Sequence, residues 1–245
     1  MFQARAQQRV IPGAVATLGV NERVAFLRRT YAHLAGAIVA FAVLAYGLVH
    51  SSFAPKFIGW MAGDGRGFNA NALIVFLLFI ATGFLAERLA RSETSRALQY
   101  VGLGIEVAAY AILLTPILYI ANFYYVKDPH LIAKAGLFTI LIFTGLTATV
   151  FITRKDFSFL RGILMIGAFA AIGIIIASMI FGFHLGTIWC VAMIVLMAGY
   201  ILFQTSLVMA YFRPTNHVAA ALMLFSTIAT LFLYVLRLLM ELQRR

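Results

Sequence analysis

Residues 160–183 read LRGILMIGAFAAIGIIIASMIFGF and contain a single charged side chain, that of Arg161. As an α-helix, a run of this length extends about 36 Å, which exceeds the roughly 30 Å hydrocarbon thickness of a bilayer. A segment this long and this apolar predicts a membrane-spanning helix.

The composition of the whole chain agrees with this segment. Hydrophobic residues make up 63% of the 245 residues, Asp, Glu, Lys and Arg make up 11%, and the mean hydropathy is +0.98. A soluble protein of this length needs a charged surface over most of its area, and these residues are too few to provide one. The predicted fold class is therefore all-α: a polytopic membrane protein in contact with the lipid bilayer, with no separate soluble domain.

Seven apolar segments predict seven transmembrane helices in a membrane domain over residues 30–240. The polar residues 1–29 then form an N-terminal tail, and residues 241–245 form a short basic C-terminal tail. A six-span alternative with one re-entrant segment stays open, because seven spans put Arg237, Arg244 and Arg245 outside the cell. Besides Leu160–Phe183, the segments are Tyr31–Val49, Asn71–Ala86, Leu98–Ile120, Leu131–Ile152, Thr187–Tyr211 and His217–Met240.

The basic residues predict how the chain is oriented. The formal charge is +11, and the basic residues lie mostly between the apolar segments, where they act as topology determinants rather than as a nucleic-acid surface. With the N-terminus in the cytoplasm, twelve basic residues lie inside and four lie outside. The four are Lys56, Arg66, Lys127 and Lys134.

Sequence motifs of enzymes are absent. The chain has no HExxH, GxSxG, Walker A or CxxC motif, its five histidines are scattered, and Cys190 is its single cysteine. We therefore expect a protein without catalytic activity, cofactor or bound metal, and without nucleic acid as a partner.

Glu106 is the one acidic residue that lies clearly within an apolar segment. A carboxylate at that depth costs several kcal/mol unless it is protonated, paired or hydrated. Glu106 is thus a candidate proton- or cation-responsive group facing a cavity. The alternative is a protonated or hydrogen-bonded side chain that ties helices together.

Other polar or helix-breaking residues fall within the same segments. Pro116 follows Thr115 and predicts a kink, which serves either as a gate or as a packing device. Six small polar residues on the last two segments predict either hydrogen bonds between helices or a hydrophilic path. They are Gln204, Thr205, Ser206, Ser226, Thr227 and Thr230.

The junction TRKDFSFLRG, residues 153–162, resembles the T-K/R-K-D-F-S-F-L-G-G signature of the Bax inhibitor-1 (TMBIM) family. Residues 27–31, 115–118 and 219–237 resemble other family segments, and the resemblance runs from about residue 24 to residue 240. It implies a seven-helix bundle with the last helix at its centre. The junction positions that carry the motif are Arg154, Lys155, Asp156, Phe157, Ser158, Phe159 and Gly162.

The resemblance also implies a pH-sensitive calcium leak that is closed by two aspartates sharing a proton. Those aspartates fall here at Gln204 and Thr227, neither of which is ionisable. Two close carboxylates titrate as a coupled pair, whereas an amide and a hydroxyl do not titrate. The chain therefore lacks that sensor, and Glu106 is the best candidate to carry any remaining pH response.

The stretch ILFQTS, residues 201–206, is similar to the I-L-F-E-T-S of a bacterial, YccA-like branch that also lacks the second aspartate. Members of that branch associate with the FtsH membrane protease and moderate its activity, and they present a cytoplasmic N-terminal tail that the protease can engage. The resemblance implies a bacterial inner-membrane protein with an FtsH-type protease, or another membrane complex, as its partner. The alternative function is a weak, pH-responsive cation leak or exchanger for Ca²⁺ or H⁺.

Overall fold

A computed structural model describes residues 19–63, 70–92, 95–124, 128–153, 155–210 and 212–243. Within these ranges the chain forms eight α-helices and no β-strand. Seven of the helices are long and apolar enough to cross a bilayer, which confirms the seven-span prediction. The helices are α1 (Val20–Val49), α2 (Phe53–Ala62), α3 (Ala70–Ala90), α4 (Arg96–Phe123), α5 (Leu131–Thr153), α6 (Arg161–Phe181), α7 (Thr187–Ala210) and α8 (His217–Gln243).

The last helix lies at the centre of the bundle, as the family resemblance implies. In the most apolar window of α8, 72% of the residues are buried, against 6% in α3. Helices α1, α3, α4, α5 and α7 all pack against α8. A helix that is surrounded by other helices buries its whole circumference, whereas the outer helices leave one face for lipid.

The ends of two helices differ from the sequence prediction. Helix α1 begins at Val20, so charged residues that were assigned to the N-terminal tail form its first turns. Hydropathy does not detect these turns, because they extend out of the apolar layer. Helix α8 continues to Gln243, beyond the predicted end at Met240, and Arg237 lies within it. The rest of the predicted tails, residues 1–18 and 244–245, lies outside the described residues.

A short helix replaces part of the predicted first outside loop. Helix α2 has ten residues, and Phe53, Phe57 and Trp60 stack along one side of it, with 5.0 Å between the first two ring centroids. Ten residues of helix extend only about 15 Å, which is too short to cross a bilayer. The aromatic rings thus organise a segment that hydropathy alone assigns to a loop.

Two local features shape the helices that matter for the site. Helix α4 runs without interruption through Pro116, and the hydroxyl of Thr115 donates a 2.7 Å hydrogen bond to the carbonyl of Ala111. Helix α6 ends at Gly182, which has a φ of 72° and donates its N–H to the carbonyl of Ser178. That left-handed conformation suits glycine because it has no Cβ.

Candidate functional site

The residue singled out as an intramembrane acid faces a large cavity. A cavity of about 810 Å³ lies among α3, α4, α6, α7 and α8, near the C-terminal end of α3 and the N-terminal end of α6. By the charge pattern of the sequence, this is the predicted cytoplasmic side. The polar side chains along the cavity are those of Glu87, Arg91, Glu106, Tyr110, Ser158, Arg161, Tyr200, Gln204 and Ser226.

Glu106 lies on the buried face of α4 and is 4% exposed. Its Oε2 atom has no hydrogen-bond partner among the residues that the structure describes. A Cβ atom built at Gly83 of α3 would lie 3.8 Å from this oxygen, so the carboxylate packs close to the α3 backbone. Of the two interpretations from sequence, the geometry favours a cavity-facing acid over a carboxyl whose hydrogen bonds tie helices together.

The two positions that correspond to the family's aspartate pair do meet in the structure. The hydroxyl of Thr227 on α8 donates a 2.8 Å hydrogen bond to Oε1 of Gln204 on α7. Both residues are buried, and Gln204 also lines the cavity that holds Glu106. The pair is neutral at every physiological pH, so it links α7 to α8 without acting as a proton sensor.

Sequence reasoning missed Tyr110, which lies one helical turn beyond Glu106 on the same face of α4. Its hydroxyl is 2.8 Å from the hydroxyl of Thr230 on α8. Its ring meets the edges of Phe79 and Phe225, with centroid distances of 4.9 Å and 5.7 Å. The i, i+4 spacing from Glu106 is the signal that would have found it.

Tyr110 and Phe225 separate the Glu106 cavity from a second one. The second cavity has a volume of about 400 Å³, lies among α1, α4, α5 and α8, and is lined mainly by apolar side chains, including Phe225. Phe225 is 1% exposed and also contacts Phe41 of α1. Tyr110 lines the first cavity and Phe225 lines the second, so the contact between the two rings lies between the cavities.

Few of the six polar residues predicted on α7 and α8 form hydrogen bonds between helices. Ser206 donates to Phe203, Ser226 to Met223 and Thr230 to Ser226, in each case to a carbonyl of its own helix. Thr205 Oγ1 has no partner among the described residues. Among the described residues, the hydrogen bonds that this cluster forms between helices are Gln204–Thr227 and Tyr110–Thr230.

The motif at the α5–α6 junction forms the edge of the cavity. Oδ1 of Asp156 accepts a 2.8 Å hydrogen bond from the backbone N–H of Ser158, and Ser158 lines the cavity. The rings of Phe157 and Phe159 lie 6.3 Å apart. Lys155 and Gly162 are exposed, whereas Arg154 lies outside the described residues.

An ion pair and a third charge lie at the mouth of the cavity. Arg91 Nη2 lies 2.7 Å from Glu87 Oε1 on α3, and about half of each side chain is exposed. Arg161, the first residue of α6, lines the same cavity. Pro116 lines neither cavity, so its role as a gate stays a prediction.

The described residues contain no group of three or more His, Cys, Asp or Glu that would hold a metal ion. Ca²⁺ takes six to eight oxygen ligands, commonly including several carboxylates. In the part of the chain that the structure describes, the cavity offers two carboxylates, Glu106 and the ion-paired Glu87, with one amide, Gln204, and a few hydroxyls.

Comparison with known proteins finds a matching protein family and a bacterial relative. The family model described as "Inhibitor of apoptosis-promoting Bax1" matches residues 23–245. A protein of Pseudomonas aeruginosa described as uncharacterized is 33% identical over 109 residues, which cover 43% of this chain and 48% of that protein. The chain thus spans about half the length of this relative. The family match confirms the assignment made from residues 153–162.

Proposed function

The chain belongs to the Bax inhibitor-1 family, and we propose that it forms a weak, pH-responsive pathway for protons or small cations. One observation carries this proposal: the nearly fully buried carboxyl of Glu106, with Oε2 lacking a hydrogen-bond partner among the described residues, faces a large cavity. Glu106 is the group that gains and loses the proton.

The cavity provides the conditions that proton exchange at Glu106 requires. A charged carboxylate within the membrane is costly unless water or an opposite charge stabilises it. A volume of about 810 Å³ has room for on the order of twenty water molecules, at about 30 Å³ each. The charged side chains of Glu87, Arg91 and Arg161 line the same cavity and make this part of its wall polar.

The same charges favour a proton over a calcium ion as the species that Glu106 binds. The cavity is lined by two carboxylates, Glu87 and Glu106, and by two arginines, Arg91 and Arg161, so its formal charges offer no net attraction to a divalent cation. Calcium sites in proteins instead surround the ion with six to eight oxygens. We therefore expect proton flux to exceed calcium flux.

The contact between Tyr110 and Phe225 explains why the pathway would be weak. These rings separate the Glu106 cavity from the apolar cavity on the other side of them. Apolar constrictions block ions by excluding water from a narrow segment. Ions would then pass only when the two rings move apart.

The test is flux into liposomes that contain the purified full-length protein, measured at about pH 6 and pH 8 against empty liposomes. Proton flux is followed with an enclosed pH-sensitive dye and calcium flux with an enclosed calcium dye. We expect Glu106→Gln to reduce the proton flux severalfold and to flatten its pH dependence. Glu22→Gln is the matched control, because it makes the same change at an exposed carboxylate of α1 that does not line the cavity. Equal flux and equal pH dependence in wild type and Glu106→Gln would refute the proposal.

Association with an FtsH-type protease is a second candidate function, favoured by the similarity of residues 201–206 to the bacterial branch. This candidate function places the protein in a bacterial inner membrane with its N-terminus in the cytoplasm. The test is deletion of residues 2–18, which leaves α1 intact, compared with replacement by a Gly/Ser segment of equal length. Loss of co-purification with the protease in both variants would support this function, and unchanged co-purification would contradict it.

A further inference from the structure

Three helices bring basic and aromatic side chains together at the predicted cytoplasmic side, away from the Glu106 cavity. His33 of α1 is linked through Nε2 to the hydroxyl of Tyr100 on α4, at 3.0 Å. The ring of His217, at the start of α8, lies 4.9 Å from that of His33. Arg29 on α1 and Arg96 on α4 lie one helical turn before His33 and Tyr100, and therefore on the same helix faces as these two residues. We call these five residues the basic cluster.

The basic cluster lies at one end of a groove between α1 and α4. The groove has a volume of about 460 Å³ and is lined by His33 and Tyr100 at the cluster and then by mostly small or aliphatic side chains. Small residues at every fourth position of α1, Ala32, Gly36 and Ala40, leave this space free. From Ala32 to Leu44 the groove extends along about 18 Å of helix, close to the roughly 15 Å depth of one leaflet's hydrocarbon.

We propose that this groove binds an anionic phospholipid. Arg29 and Arg96 hold the phosphate, with the linked His33 and Tyr100 beside it, and one acyl chain lies along the small residues of α1. Arginine suits this role because its planar guanidinium donates paired hydrogen bonds to phosphate oxygens.

Two further features favour a negatively charged lipid over a zwitterionic one. Arg96 is the first residue of α4, and a helix N-terminus carries partial positive charge that attracts phosphate. None of the residues that line the groove carries a carboxylate. Charge complementarity at the cluster and apolar complementarity along the groove thus point to the same molecule.

The experiment measures lipid binding to the purified full-length protein in detergent by native mass spectrometry. The probes are dioleoyl phosphatidylglycerol, dioleoyl phosphatidylcholine and inorganic phosphate. We expect the phosphatidylglycerol to bind at least about tenfold more tightly than the phosphatidylcholine, because charges near the membrane surface attract anionic lipid. Equal affinity for the two lipids would overturn the proposal. Inorganic phosphate that displaces half of the phosphatidylglycerol at an equal concentration would also overturn it, because the acyl chain would then add no affinity.

Paired variants locate the headgroup. The double substitution Arg29→Gln with Arg96→Gln should lower the affinity for phosphatidylglycerol about tenfold, while the affinity for phosphatidylcholine stays the same. The control is Arg28→Gln with Arg88→Gln, which removes the same charge from the same predicted side without touching the groove. An equal loss in both double variants would show a diffuse charge effect and would contradict a defined site.

A separate variant locates the acyl chain and leaves every charge in place. A Cβ atom at Gly36 meets nothing within 4 Å, so Gly36→Leu is tolerated sterically and its side chain fills the groove. Gly47→Leu is the control, since Gly47 lies on the same helix with equally open space and outside the groove. We expect severalfold weaker phosphatidylglycerol binding for Gly36→Leu alone. Unchanged binding would show that the chain does not occupy the groove.

Discussion

The hydroxyl of Thr227 on α8 donates a 2.8 Å hydrogen bond to Oε1 of Gln204 on α7, at the two positions where the family resemblance implies a pair of aspartates. The contact between α7 and α8 is therefore present at these positions, but without the charge that a pair of aspartates would carry. A carboxylate pair separates or closes according to its protonation, whereas an amide and a hydroxyl stay bonded at any physiological pH. In this chain the buried carboxyl group on the cavity lies instead on α4, at Glu106.

Thr227→Val tests whether this bond is structural. The substitution keeps the side-chain shape and leaves the amide of Gln204 buried without its partner, so we expect a loss of about 1 kcal/mol in the free energy of unfolding. Thr139→Val is the control, because the Thr139 hydroxyl is buried and bonds only to Ala135 of its own helix. Thermal unfolding in detergent measures both variants. A pH dependence of flux that changes in Thr227→Val would contradict the structural role.

Phe225→Ala tests the barrier between the two cavities. Removing this ring joins the spaces on either side of Tyr110, so we expect severalfold faster proton flux into liposomes. Phe232→Ala is the control. Phe232 also lines the apolar cavity, but among the described residues its ring contacts Phe41 and not Tyr110. Loss of a buried phenyl ring costs about 3–5 kcal/mol, so folding is checked by size-exclusion chromatography. Flux that is unchanged in a folded Phe225→Ala protein would place the barrier elsewhere.

Asp128 should make the stability of the chain depend on pH. Asp128 lies in the segment between α4 and α5. Its Oδ2 accepts hydrogen bonds from Lys134 at 2.8 Å and from Gln243, at the end of α8, at 2.9 Å. The hydrogen bond from Lys134 is the main cause that lowers the pKa of the Asp128 carboxyl. A lowered pKa in the folded state adds stability above the unfolded value of about 3.9, and that stability is lost as pH falls through the folded pKa.

The measurement is thermal unfolding of wild type and Asp128→Asn between about pH 3 and pH 7. We expect wild type to be the more stable protein near pH 7 and the difference to shrink as the pH falls below about 4, toward the lowered pKa of folded Asp128. Lys134→Met, which removes the main partner, should reproduce part of the effect. A difference between wild type and Asp128→Asn that stays constant across this range would show that the hydrogen bonds do not depend on the charge of Asp128.

Gly102→Ala tests the close contact between α3 and α4. A Cβ atom at Gly102 would lie 2.5 Å from the carbonyl oxygen of Ala86 and 2.8 Å from the nitrogen of Ala90. Both are backbone atoms, so the helices must move apart, and we expect a loss of about 1–3 kcal/mol in stability. Gly145→Ala is the control, since a Cβ there meets nothing within 4 Å. Equal unfolding temperatures for the two variants would contradict this packing.

The amino-acid sequence by itself determined the membrane class, the number of spans and the family. Seven apolar runs predict the seven long helices, because transfer into a bilayer depends on the length and polarity of each segment alone. The same dependence explains why two helical segments were not predicted from the sequence. The charged start of α1 and the short helix α2 are too polar or too short to register as spans.

Only the tertiary structure decided which polar groups meet. Glu106 was found from its depth in an apolar run, but Tyr110, the cavity and the contact with Phe225 depend on how α4 is rotated against α8. The link between His33 and Tyr100 joins residues that are 67 positions apart. Rotation and spacing of helices in lipid follow from packing at small residues such as Gly102, where the backbones approach. That packing depends on contacts between segments distant in sequence, which hydropathy along the chain does not encode.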